Sequence, residues 1–381
     1  MSTEIAEIES TDEEMLKPEA VAKKSSRILY IDVLRVLSIF AVIIGHASSS
    51  IVANISSGKL ESNQWWIANI FDSCIRWCIP VFFMISGVLL LNPARDESYG
   101  VFIKKRFVRL GIPFVIWSIF YSFAKHFLLE PDGSSLGSMP GICLKDVLSN
   151  TTYYHMWFMY TILAIYLFIP VMRAAIKKFS IGETKIYIFL WILIAVIYPT
   201  IESFYRLIYS GDLSISLLAS SYLTGYLGYF VLGYYIGSVE MKKSLRMIFY
   251  MVGIASLVAI PMLVYISNLG NETLNEAFYS YFSLPVFLLS LAFFILFKQI
   301  NWDKLLSNKL KNTVSLLSEA SFGIYLVHMF IEDMWIDRMD IWKYTPVSVR
   351  ILGVTLITFT LSYIFVRIVN SNKTLSKILF G

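Results

Sequence analysis

Ten stretches of the chain stay apolar for long enough to cross the roughly 30 Å hydrocarbon core of a bilayer. They fall near residues 28–50, 66–91, 107–128, 156–176, 185–201, 216–238, 245–267, 279–298, 314–336 and 347–369, and the fifth is the shortest. Short polar segments separate them. The pattern predicts an all-α, polytopic integral membrane protein of about ten transmembrane helices. Residues 1–27 open with "MSTEIAEIESTDEEMLKPEA", an acidic start without the basic n-region or cleavage site of a signal peptide. They read as a disordered tail. The expected division is that tail, one membrane domain over 28–369, and a short C-terminal tail over 370–381.

The distribution of lysine and arginine sets an orientation. If residue 1 lies inside, the inner segments hold 23 of the 32 basic residues and the outer ones seven: Lys59, Lys125, Lys145, Arg206, Arg338, Lys343 and Arg350. Positive residues concentrate on the cytoplasmic side of membrane proteins, so both termini are expected to be cytoplasmic. Composition agrees with a membrane protein, since only 15% of residues are charged against about a quarter in soluble domains. The net charge of +5 does not mark a nucleic-acid partner, because the basic residues lie in short clusters between apolar runs. Three cysteines are too few for a disulfide framework. Cys74 and Cys78 are one turn apart with no partner set for a metal, so they read as packing residues and no metal is expected.

Polar residues inside the spans carry the candidate chemistry. The first span, "YIDVLRVLSIFAVIIGHASSS", contains Asp32, Arg35 and His46. A charge at mid-bilayer costs about 2.5–3.5 kcal/mol on insertion scales, and such residues usually face a cavity or pathway. Arg35 and His46 are eleven residues apart, which on a helix means one face and roughly 16 Å of rise. Asp32 stands three residues from Arg35, within pairing range. In the second span Asp72 and Arg76 are spaced to neutralise each other, and Pro80 and Gly87 are expected to kink or thin the helix. "KKRFVRLGIPFVIWS" enters the third span with Arg106 and Arg109 on one side, a pair suited to bidentate phosphate contacts. No Walker-type glycine loop accompanies it, so a nucleotide-bearing acyl carrier fits better than ATP hydrolysis. In "SFGIYLVHMF", Ser321, Tyr325 and His328 fall on one helical stripe. All four histidines (His46, His126, His155 and His328) belong to the expected outer half. Gly233 and Gly237 form a small-xxx-small seam for helix packing.

Taken in order, these segments resemble the membrane-bound acyltransferase family 3, the bacterial O-acyltransferases of surface polysaccharides. "YIDVLRVLSIFAVIIGHA" carries the family's arginine, ten residues, histidine pattern, and "IPVFFMISGVLL", "RFVRLGIPFVIW", "HMWFMYTILAIYLFIPVMR" and "SFGIYLVH" continue it over roughly residues 28–369. The resemblance implies a ten-span helical bundle in the bacterial cytoplasmic membrane. It also implies transfer of an acyl group, usually acetyl, from cytoplasmic acyl-CoA to a hydroxyl of an envelope glycan or lipid-linked saccharide. His46 would be the catalytic histidine. Arg35 would support the site or the donor, and Arg106 and Arg109 would seat the coenzyme. From the residues themselves, Asp72 is the carboxylate nearest in depth to orient the His46 imidazole, and Arg76, His155, Tyr325 and His328 are expected to support the site. No "GDS"-type nucleophile block appears, so the resemblance is to members without an attached SGNH domain. That leaves open a homo-oligomer, or a separate extracytoplasmic partner protein that completes transfer.

Neutral His46 can serve as general base toward a sugar hydroxyl or carry the acyl group as an acyl-imidazole. The competing class is a transporter or flippase of a lipid-linked saccharide, which has no use for a phosphate site at Arg106 and Arg109.

Overall fold

The computed structural model describes residues 28–55, 59–92, 97–129, 131, 133–209 and 222–381. The expected N-terminal tail lies outside the described residues. Among those described, nine helical rods are long and apolar enough to span a membrane, and no β-strand is present. The chain is a polytopic all-α membrane protein. Part of the expected sixth span, residues 216–221, falls outside the described residues; the rest is α10 (Tyr222–Ser238).

α1 (Leu29–Val52) carries Asp32 and Arg35 at one end of the bundle, the arginine end, and His46 at the other, the histidine end. α1 packs against α2 (Asn63–Ile75), α3 (Cys78–Leu90), α14 (Asn308–Ile331) and α15 (Val347–Asn370). It is therefore central, and its polar residues face protein instead of lipid.

The second span is broken, as its proline leads one to expect, but one turn before Pro80. α2 ends at Ile75 and α3 begins at Cys78. A proline has no N–H to give to the carbonyl four residues back and its ring clashes there, which is the carbonyl of Arg76. Farther along, α3 meets α10 at very short range. A Cβ on Gly87 would stand 1.9 Å from the Phe230 carbonyl oxygen, and one on Gly233 would stand 2.2 Å from that of Met84. Only hydrogen fits at either position, so the seam expected at Gly233 exists and its partner is the second span.

The third span runs from α4 (Tyr99–Arg106) through a π-helical turn (Phe107–Gly111) into α5 (Ile112–Ala124) and a second π turn (Lys125–Leu129). α6 (Met139–Ser149) lies at the histidine end. A 3₁₀ turn (Tyr154–Met156) then leads into α7 (Trp157–Lys178). The fifth span, the shortest in the hydropathy pattern, is a rod from Ile181 to Tyr209 made of α8 (Ile181–Ile192), a π turn and α9 (Tyr198–Tyr209). A capping box at Ser180 and Glu183 starts it before the apolar run begins.

α11 (Lys243–Ser267), α12 (Leu284–Gln299), a short α13 (Trp302–Leu305), α14 and α15 complete the bundle. α11 exposes Met247, Ile254, Val258 and Met262, as a lipid-facing helix should. α16 (Lys373–Leu379) folds back on α5, where Trp117 Nε1–H donates to the Leu379 carbonyl at 3.0 Å. The expected C-terminal tail is thus a docked helix.

Candidate active site

Three of the four histidines meet at the histidine end. His46 arrives on α1, His155 on the 3₁₀ turn before α7, and His328 on α14. The ring centroids of His46 and His328 are 5.3 Å apart, and those of His155 and His328 are 5.4 Å apart. His155 and His328 are fully buried, while His46 is half-buried. Tyrosines close the cluster: Tyr154 lies 5.4 Å from His46, and Tyr121 lies 4.6 Å from His155.

Each ring is held differently. The Tyr325 hydroxyl donates to the His155 carbonyl at 2.6 Å, so α14 fixes the turn that carries His155. His328 Nδ1 lies 2.7 Å from the Tyr325 carbonyl oxygen. A carbonyl only accepts, so Nδ1 carries the hydrogen. In the neutral ring that leaves the lone pair on Nε2, and this nitrogen is buried without a hydrogen-bond partner among the described residues. Both ring nitrogens of His155 likewise have no hydrogen-bond partner among the described residues. A basic nitrogen left with a free lone pair is chemically able to accept a proton.

The fourth histidine stands apart. His126 lies in the π turn after α5, with Nε2 3.1 Å from Asp146 Oδ2 on α6. Burial would push the Asp146 carboxyl up, but hydrogen bonds from Ser122, His126 and Thr151 outweigh it and hold the group below its usual range. This is a structural tie between α5 and α6.

Asp72 and Arg76 pair, as their spacing leads one to expect. The guanidinium also lies 4.0 Å from the Tyr279 ring centroid. Asp72 faces α1: a Cβ on Gly45, the residue before His46, would stand 3.9 Å from Asp72 Oδ1. Its Oδ2 engages the Arg76 guanidinium, which leaves Oδ1 on the side of α1. Asp32 accepts a hydrogen bond of 2.6 Å from Ser318 on α14, which ties α1 to α14 away from the cluster.

At the arginine end, Arg35, Arg106 and Arg109 all lie within electrostatic reach of the Tyr166 hydroxyl on α7. Arg106 is half-buried, with its guanidinium 5.2 Å from the Phe102 ring centroid and 5.8 Å from that of Tyr166. Arg109 is exposed and sits inside the π turn. Arg173, counted from sequence only as a topology signal, is buried. It donates twice to the Leu90 carbonyl, at 2.8 and 3.1 Å, and so caps the end of α3.

Sequence reasoning missed Tyr121, Tyr154, Tyr166 and Asp333. Asp333 accepts from both the Tyr153 and Tyr154 hydroxyls, the latter at 3.4 Å. The available signal was the string "TYYHMW", in which the tyrosines adjoin a histidine. Among the described residues, no group of three histidine, cysteine or acidic side chains is placed to hold a metal ion.

α1 thus joins two sites, a basic cluster at one end and a histidine cluster at the other. A family model described as "Acyltransferase domain" matches residues 28–367. No curated protein and no solved structure gives a match. The chain belongs to acyltransferase family 3, which decides against the transporter reading.

Proposed function

We propose that this membrane acyltransferase moves an acyl group, acetyl in the first instance, from cytoplasmic acyl-CoA to a hydroxyl of a bacterial envelope polysaccharide. One observation carries the reading: α1 places Arg35 among arginines at one end and His46 among histidines at the other. The separation of eleven residues is roughly 16 Å along the helix. Coenzyme A is a long polyanion with its reactive thioester at the far tip. Its phosphates would bind Arg106 and Arg109 at the cytoplasmic mouth, and Arg35 would draw the chain inward.

In the reaction, the acceptor hydroxyl gives its proton to His46 as its oxygen attacks the thioester carbonyl carbon. The carbon–sulfur bond breaks, an ester remains on the sugar, and the departing thiolate takes the proton back from His46 to leave as the free thiol. A positioned general base is worth about 10²–10⁴ in rate. His328 sits beside His46 with Nε2 able to accept, so it shares the proton and steadies the imidazolium. Tyr154 also packs against His46. If acyl-imidazole forms instead, labelled acyl-CoA without acceptor leaves label on the protein; the base mechanism leaves none.

The test is mass spectrometry of envelope glycans from deletion and complemented strains, together with transfer from acetyl-CoA labelled in the acetyl group. Labelled ester on the glycan is expected only when the chain is present. Absence of any labelled ester, with lipid-linked saccharide crossing the bilayer, would overturn the proposal.

A further inference from the structure

A cavity of about 820 Å³ opens at the histidine end, between α2, α7, α9, α10 and the loop before α12. That size lies within the usual range of ligand sites, about 300–1,000 Å³. One wall is aromatic. The Trp157 ring stacks near Tyr281, with centroids 6.1 Å apart and planes 24° apart, and lies 5.7 Å from Tyr226. The other walls are hydrogen-bonding: Arg76, the Glu202–Arg206 pair joined at 2.6 Å, and Asn150, Asn275 and Glu276. Two arginines and two glutamates line the space, so it has no net charge to attract a polyanion or a polycation.

Flat apolar rings facing planar polar groups match one chemistry. A pyranose has an apolar C–H face that stacks on an aromatic ring, and an edge of vicinal hydroxyls that pair with carboxylate, amide and guanidinium groups. No histidine lines the cavity, but two of its lining residues lead toward them. Trp157 follows His155 by two residues, and Arg76 is paired with Asp72, which faces the residue next to His46.

We propose that this cavity seats the acceptor, holding an uncharged saccharide unit against Trp157 and Tyr281 while a neighbouring hydroxyl reaches His46. The inference rests on the acyl-transfer reading for its direction, but its binding test is independent of transfer. The probe is polysaccharide extracted from the envelope of cells lacking this chain, with the full-length protein held in nanodiscs. Binding of the polysaccharide and of acetyl-CoA is measured separately, and the transfer rate is followed against polysaccharide concentration.

Trp157→Ala and Tyr281→Ala should each weaken polysaccharide binding, and raise its KM, by about tenfold. Acetyl-CoA affinity should stay unchanged, which also reports that the variants are folded. Trp157→Phe and Tyr281→Phe, which keep a ring, should recover most of the loss. If the wild-type protein binds polysaccharide and the alanine variants lose it but no acetyl is transferred, the cavity assignment stands and the functional reading falls. If the alanine variants bind as tightly as wild type, or the wild type binds no polysaccharide at all, the cavity assignment is overturned.

Discussion

Asparagine and glutamine at position 328 separate the two nitrogens of one histidine. The amide of asparagine overlays Nδ1, and that of glutamine overlays Nε2. His328 Nδ1–H donates to the Tyr325 carbonyl at 2.7 Å, whereas Nε2 has no hydrogen-bond partner among the described residues and lies on the ring 5.3 Å from His46. His328→Asn keeps the first bond and removes the basic nitrogen. His328→Gln removes the bond, at about 0.5–1.5 kcal/mol of stability, and replaces the basic nitrogen with an amide. If Nε2 shares the reacting proton, both variants should lose acyl transfer by about 10–100-fold, the lower part of the range for acid–base groups. Only the glutamine variant should also unfold at lower temperature. The assay pairs transfer from labelled acetyl-CoA with thermal unfolding in detergent. A His328→Asn protein within twofold of wild-type activity would refute the role given to Nε2 and reduce His328 to a packing residue.

Arg106→Ala and Arg109→Ala should each weaken acyl-CoA binding by about ten- to a hundredfold, the loss of a charge-assisted contact of about 1.5–3 kcal/mol. Lysine should restore only part of it for want of a planar fork, and unchanged affinity in the double alanine variant would leave the pair as a topology signal. Lys59→Cys and Lys145→Cys should react with an impermeant thiol reagent from outside the cell; labelling of both only from the cytoplasmic side would reverse the orientation. Asp146, whose pKa is depressed by its hydrogen bonds, contributes stability that is present above the unfolded carboxylate range and disappears as pH falls through the folded value. Thermal unfolding should therefore show an acid-side loss, below about pH 4, that is smaller in Asp146→Asn. Equal losses in both proteins would contradict that assignment.

The fold was largely legible in the chain because a span is a property of hydropathy alone. The partner of each span was not. Nothing in the sequence pairs Gly87 with Phe230 or Gly233 with Met84, since close approach depends on which two small residues come to the same depth. The π turns were also hidden, because one extra residue per turn scarcely disturbs an all-apolar run. The histidines were legible as to depth but not as to company. Their positions put all four at one end, yet only the packing of α1, α7 and α14 brings His46, His155 and His328 together and leaves His126 to Asp146. Tyr154 adjoins His155 in the sequence but did not stand out, because tyrosine is common at membrane interfaces for other reasons.

The central claim is that His46 takes the proton of an acceptor hydroxyl. Glutamine at position 46 preserves a hydrogen-bonding group of similar reach but accepts no proton at neutral pH. The decisive measurement is acyl transfer by His46→Gln, made alongside acyl-CoA affinity in the same preparation. Transfer reduced by at least about a hundredfold, with coenzyme affinity within twofold of wild type, is the result expected. Transfer near the wild-type rate would make His46 a structural residue and pass the catalytic role to His155 or His328.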